Sequence, residues 1–138
     1  MTRQAIPIAL LVALAGVARA QVQPRPVSDA DIDRVMAEHK RYIYAQQHGT
    51  TGEWPNHWHR QQVPHGGPSA LALFALLDAG EEVGNSEIQL GLDAMIAHKT
   101  NNLYVRAFRA MALSYAVRAK DTPEYLKQLK DDVEWLAK

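Results

Sequence analysis

The sequence predicts an all-α protein of about five helices, and three observations support that prediction. Apolar residues after position 28 recur at the three- and four-residue intervals of an amphipathic helix. Proline and glycine stand where helices would start and stop. No segment shows a convincing alternation of apolar and polar residues, which a half-buried strand requires. We therefore expect helices joined by loops, without a sheet.

The first helix is predicted to begin after Ser28, an expected N-cap. Asp29, Asp31 and Asp33 follow in its first turn, where the helix macrodipole favours negative charge. A calcium loop of the EF-hand type would need glycine where Arg34 stands, so these aspartates are interpreted as a helix start. The helix carries an apolar stripe formed by Ile32, Val35, Met36, His39 and Ile43.

A long loop over residues 48–67 precedes the second helix and holds four of the six histidines. His57, His59 and His65 have the ligand chemistry for a zinc ion. The chain has no cysteine, and Glu53 is the only carboxylate close by in sequence. Packing and hydrogen bonding are the favoured roles for these histidines, and no metal is predicted.

The second helix is predicted to start at Pro68 and to be apolar on nearly every side as far as Ala79. Gly80 is placed to follow its last turn in the left-handed conformation. A helix that is apolar all round must be covered on more than one side.

The third helix is predicted from about Ser86 to His98, with a stripe formed by Ile88, Leu92, Met95 and Ile96. Asn101 or Asn102 is the expected cap of a fourth helix that runs to about Ala119. The fourth helix carries one stripe formed by Tyr104, Phe108, Met111 and Tyr115.

A fifth helix is predicted from Pro123, with a buried stripe formed by Tyr125, Leu126, Leu129, Val133 and Leu136. Helices one, three and five are amphipathic, whereas helices two and four are apolar nearly all round. This alternation predicts inner helices covered by outer ones, as in an α/α solenoid or toroid. A plain helix bundle is the alternative.

The chain is expected to be exported. Residues 1–20 are predicted to be a signal peptide cleaved after Ala20, because a basic Arg3 precedes a short apolar run and a small-residue cleavage site. A short membrane anchor is the alternative, although the run is short for a bilayer. Residues 21–27 are predicted to be a proline-containing linker and 28–138 the folded domain. No membrane association is expected after cleavage.

Composition restricts the classes of function. Absence of cysteine excludes disulfides, thiolate metal sites and cysteine nucleophiles. A formal net charge of zero argues against a nucleic-acid partner, which would favour a basic surplus. No cofactor is predicted.

The segment around the first loop resembles the QW repeat of squalene and oxidosqualene cyclases. The matching residues are Tyr42, Gln47, Gly52 and Trp54, followed by Gly66 and Gly67 at an inner-helix start. The resemblance covers roughly residues 28–138 and is nearest to secreted bacterial proteins that carry prenyltransferase/squalene-cyclase repeats. It implies that Gln47, Gly52 and Trp54 hold helices together, with the glutamine capping a helix end and the tryptophan filling a gap between outer helices.

The same resemblance implies a partial toroid of about two and a half helix pairs. A protein partner or a missing C-terminal half would complete it. The Asp-rich acid motif of the cyclases has no equivalent, because Asp29, Asp31 and Asp33 differ from it in spacing.

Two hypotheses of function follow. The first is a secreted repeat module that binds or assembles and has no catalytic constellation of its own. The second is an enzyme of the polysaccharide-lyase type or, with less support, a terpene cyclase. Its site at the inner-helix mouth would use His57, His59, His65, Tyr104, Arg106 and Arg109. Inter-helix salt bridges are the favoured alternative for the two arginines.

Overall fold

The computed structural model describes residues 26–55 and 66–138, and within those ranges it contains five α-helices and no strand. The helices are α1 (Asp29–Ala45), α2 (Gly67–Asp78), α3 (Ser86–Ala97), α4 (Leu103–Ala119) and α5 (Pro123–Leu136). The all-α prediction is confirmed. The predicted signal peptide, most of the linker, and His57, His59 and His65 lie outside the described residues.

Side chains at the helix ends account for where the helices begin and end. Ser28 and Asp31 form a reciprocal capping box, in which the Ser28 hydroxyl accepts from the Asp31 amide at 3.2 Å. Asn102 caps α4 by accepting from the amide of Val105 at 3.2 Å. Gly80 follows α2 with φ +84°, as its position predicted.

Helices α2 and α4 lie side by side and run in the same direction. At their starts, an atom added at the Cβ position of Gly67 would lie 3.5 Å from the ring of Tyr104. At their ends, the Tyr115 hydroxyl donates to Asp78 at 2.5 Å. The contacts of α4 with α2 and with α5 are the most extensive in the fold.

The other helices pack around this central pair. Tyr125 at the start of α5 donates to Asp93 of α3 at 2.8 Å. The starts of α2 and α4, Gly67 and Leu103, are 36 positions apart, and the starts of α3 and α5, Ser86 and Pro123, are 37 apart. The pair α2 and α3 therefore recurs as α4 and α5 at nearly the same interval, whereas the starts of α1 and α3, Asp29 and Ser86, are 57 positions apart.

The apolar core lies where α2, α3 and α4 meet. Its fully buried side chains include Leu73, Leu76, Ile88, Leu92 and Leu113. Among the helices of the described ranges, none combines the length and apolar character needed to cross a membrane.

The apolar stripe predicted for α1 is mostly exposed, although α1 was expected to be an outer helix that covers an inner one. None of the residues of α1 is buried, and Ile32 and Met36 are 52% and 41% exposed. Only the last turn, with Ile43 and Tyr44, packs against the core. A periodic stripe shows which side of a helix is apolar, but it does not show what covers that side.

The buried stripe predicted for α5 also needs correction. Val133 is 51% exposed, whereas Asp132 is completely buried. At this point the residue of α5 that faces α4 is Asp132 rather than Val133, because Asp132 pairs with Arg109 of α4.

Candidate functional site

The residues of the predicted QW turn form a junction between α1 and α3. The side-chain amide of Gln47 donates to the carbonyl of Gly52 at 3.0 Å and to that of Glu87 in α3 at 2.9 Å. The indole N–H of Trp54 donates to the carbonyl of Ile43 in the last turn of α1 at 2.7 Å. Trp54 therefore donates a hydrogen bond to a backbone carbonyl at the end of α1. The resemblance implied this capping role for Gln47.

Close backbone approach explains two glycines of this junction. Gly52 has φ +74°, and a Cβ there would lie 2.6 Å from backbone atoms of Leu90. A Cβ on Gly91 would lie 2.9 Å from the ring of Trp54. Tyr42, the aromatic residue of the motif, is 67% exposed and stays outside this packing.

A cleft of about 320 Å³ lies beside the junction, at the start of α2. Its polar lining includes His48, Thr51, Glu53, Ser69 and His98. Glu53 and His98 contact each other through their side chains, and the Ser69 hydroxyl accepts from the amide of Trp54 at 3.0 Å. Sequence reasoning missed His98, because 45 positions separate it from Glu53 and no spacing relates them.

Arg109 of α4 and Asp132 of α5 form a buried ion pair. Arg109 is 1% exposed and Asp132 0%. The guanidinium holds the carboxylate at two points, Nε to Oδ2 at 2.6 Å and Nη2 to Oδ1 at 2.7 Å. Its third nitrogen, Nη1, donates to the carbonyl of His98 at 2.6 Å. Arg109 therefore joins α4 and α5 to the end of α3.

Arg106 completes this cluster from the protein surface. Its Nη1 donates to Asp132 at 3.2 Å, and its Nε donates to the carbonyl of Thr100 at 2.7 Å. The guanidinium lies 4.7 Å from the centre of the Trp135 ring, a cation–π geometry. The two arginines thus make inter-helix salt bridges, the favoured alternative of the sequence analysis.

The residues proposed for one catalytic mouth do not converge where the structure describes them. Tyr104 lies on the other side of α4 from the arginines, and its ring packs 4.6 Å from that of Phe108. Two positions along a helix turn a side chain by about 200°, which explains why Tyr104 and Arg106 diverge. In the described residues Tyr104 and the two arginines lie on different sides of α4, and a catalytic role for them stays a prediction.

Tyrosine–carboxylate hydrogen bonds join several helices to their neighbours. Burial, together with a hydrogen bond to Glu81 at 2.7 Å, raises the pKa of Tyr44. That hydrogen bond and the ammonium of Lys40 lower the pKa of Glu81. Burial and the hydrogen bond to Asp93 raise the pKa of Tyr125 in the same way. These shifts arise from contacts between helices rather than from an open reactive site.

One side of α2 and α4, here named the α2–α4 face, presents aromatic and apolar side chains. It consists of Leu71, Phe74, Tyr104, Phe108, Met111 and Tyr115. The ring centres of Phe74 and Phe108 lie 5.8 Å apart, so the aromatic groups of the two helices form one surface. Leu71, Tyr104 and Met111 are 40 to 43% exposed.

Within residues 26–55 and 66–138, no three histidine or acidic side chains lie together as a metal site would require. Comparison with protein-family models, curated proteins and solved structures gave no match.

Proposed function

We propose that this chain is an exported helical-repeat module of the squalene-cyclase/prenyltransferase-like kind, which acts by binding a protein partner. The partner contacts the α2–α4 face. In this proposal α2 and α4 are the inner helices of successive pairs, and the chain forms part of a larger toroid or of an assembly that covers the same surface.

The exposure of the α2–α4 face is the observation that carries the proposal. Leu71, Tyr104 and Met111 lie on neighbouring helices and leave about two fifths of their surfaces exposed. A contiguous patch of apolar groups marks an interaction surface more often than scattered exposed residues do. Aromatic residues and methionine are also the types enriched where proteins meet.

The way that the buried charged side chains are paired favours a binding role for the protein over a catalytic one. Arg109 and Asp132 are buried and satisfy each other. His57, His59 and His65 of the enzyme alternative lie outside the described residues, so that alternative stays a prediction.

The test is the native mass of the full chain isolated from the cells that produce it, measured by sedimentation velocity. We expect a particle heavier than one chain, whose mass is 15.4 kDa before residues 1–20 are removed. Met111→Lys should release a single chain, because it places a charge in the centre of the buried contact.

Val133→Lys is the matched control, because Val133 is 51% exposed on α5, away from the face. It should leave the particle intact. A native particle of one chain, or equal dissociation by both variants, contradicts the proposal.

A further inference from the structure

A second cleft, of about 540 Å³, lies between the α3–α4 loop and α5. It is distinct from the α2–α4 face, so an inference about it does not depend on the proposed function. Its polar lining includes Lys99, Thr100, Asn101, Arg106, Gln128 and Asp131.

The charges around this cleft leave a surplus of one positive charge. Lys99, Arg106 and Arg109 contribute cations, and Asp131 and Asp132 contribute carboxylates. Asp132 is shared by both guanidinium groups and is buried behind them. The unbalanced cation therefore lies on the side that faces the cleft, where Lys99 is exposed and the Arg106 side chain is 15% exposed.

Arg106 is held in place while it retains donors for a ligand. The carbonyl of Thr100, the carboxylate of Asp132 and the ring of Trp135 fix its guanidinium. Among the described residues, its Nη2 has no hydrogen-bond partner. Such a group loses little conformational freedom when it binds an anion, which increases affinity.

We propose that this cleft binds the carboxylate of a hydroxylated acid, the chemistry of a sugar acid. The carboxylate pairs with Arg106 and Lys99, because one negative charge balances the surplus of one. Asp131 on the same wall disfavours a second negative charge and accepts from a hydroxyl group. Asn101 supplies further hydrogen bonds to hydroxyls, and so does the side-chain oxygen of Gln128, whose Nε2 donates to Asp132 at 3.3 Å.

The test is an NMR titration of the full chain with galacturonate, followed on the indole N–H signal of Trp135. Galactose, acetate and phosphate are titrated in parallel. We expect galacturonate to shift this signal and to bind more tightly than acetate or phosphate. Galactose should cause no shift, because it lacks the carboxylate.

Two lysine variants separate a specific site from general charge attraction. Lys99→Gln should weaken galacturonate binding about tenfold, because it removes a charge-assisted contact. Lys120→Gln, an exposed change at the far end of α4, should leave binding unchanged. The proposal would be overturned if the two variants weakened galacturonate binding equally. It would also be overturned if galactose or phosphate bound as tightly as galacturonate.

Discussion

Arg109 is the largest side chain in the described ranges that is fully enclosed. A buried ion pair gains little net stability, because removing both charges from water is costly. Here Asp132 is bound at both oxygens, and Arg109 also donates to backbone carbonyls at the end of α3. The cluster therefore fixes how three helices meet more than it adds to the total free energy of unfolding.

Asp132→Ala should lower the free energy of unfolding by about 3–5 kcal/mol, because it leaves Arg109 buried without a counter-charge. Urea unfolding followed by circular dichroism measures the change. Asp131→Ala is the matched control, since Asp131 is exposed and should cost less than about 0.5 kcal/mol. Similar costs for the two variants would show that the ion pair does not have this role.

Sequence reasoning identified the cationic half of this cluster and missed the acidic half. Arg106 and Arg109 were singled out, with inter-helix salt bridges as the favoured alternative to a catalytic role. Asp132 was overlooked because it follows another aspartate in a charged run. Its position was nevertheless informative, since Tyr125, Leu129 and Asp132 share one side of a helix at intervals of four and three. A charge on an apolar stripe indicates a buried partner.

Among the structural elements, the turn after α1 depends most on a single backbone conformation. Gly52 combines a positive φ with contact to the backbone of Leu90. Gly80 also has a positive φ, but no atom lies within 4 Å of its Cβ position. Substitutions at the two glycines therefore separate the free-energy cost of a side chain at positive φ from the cost of a steric clash with the backbone.

Gly80→Ala should cost about 1–2 kcal/mol of unfolding free energy, the cost of placing a side chain in the left-handed region. Gly52→Ala should cost about 1–3 kcal/mol more, because a backbone contact must also shift. Thermal unfolding of both variants provides the comparison. If Gly52→Ala lowered the unfolding free energy by no more than Gly80→Ala does, the backbone at the junction would not be as closely packed as its contacts indicate.

Element ends were predictable, whereas contacts between elements were not. Ser28, Gly80 and Pro123 mark their helix ends through chemistry within a few residues. The hydrogen bond from Gln47 to the carbonyl of Glu87 spans 40 positions. Spacing contains no information about such a contact unless a related fold supplies it.

At the scale of the whole molecule, tyrosine hydroxyls and carboxylates in the described ranges link segments that are distant in sequence. Tyr44 bonds Glu81 at the end of α1, Tyr115 bonds Asp78 between α4 and α2, and Tyr125 bonds Asp93 between α5 and α3. The pKa of each tyrosine is raised. These bonds require neutral tyrosines and ionised acids.

Stability should therefore fall as the pH rises above the ordinary tyrosine pKa of 10.0. Since the folded pKa is the higher one, the contribution is fully present below pH 10 and is lost as the pH rises toward the folded pKa. Melting temperatures between pH 8 and pH 11 measure the decline. Tyr125→Phe should flatten it, whereas Tyr42→Phe, at an exposed position, should not. Identical declines in both variants would contradict this linkage.

The layered arrangement was only partly predictable. The apolar character of helices two and four correctly indicated that they form the centre of the packing. The same reasoning predicted that α1 covers an inner helix, whereas the structure leaves Ile32 and Met36 of its apolar stripe exposed. Periodicity identifies apolar sides, but the number of neighbours available to cover them depends on the complete arrangement.

The position of Arg109 also has a consequence for the order in which the chain assembles during synthesis. The last carbonyls of α3 accept from a side chain of α4, and that side chain needs a carboxylate of α5. A growing chain therefore cannot complete the end of α3 until Asp132 has left the ribosome. Helix α1, which has no buried residue, takes no part in that closure. We therefore expect α2 to α5, which share the core and this ion pair, to form one cooperative folding unit, and α1 to dock onto it as a separate event.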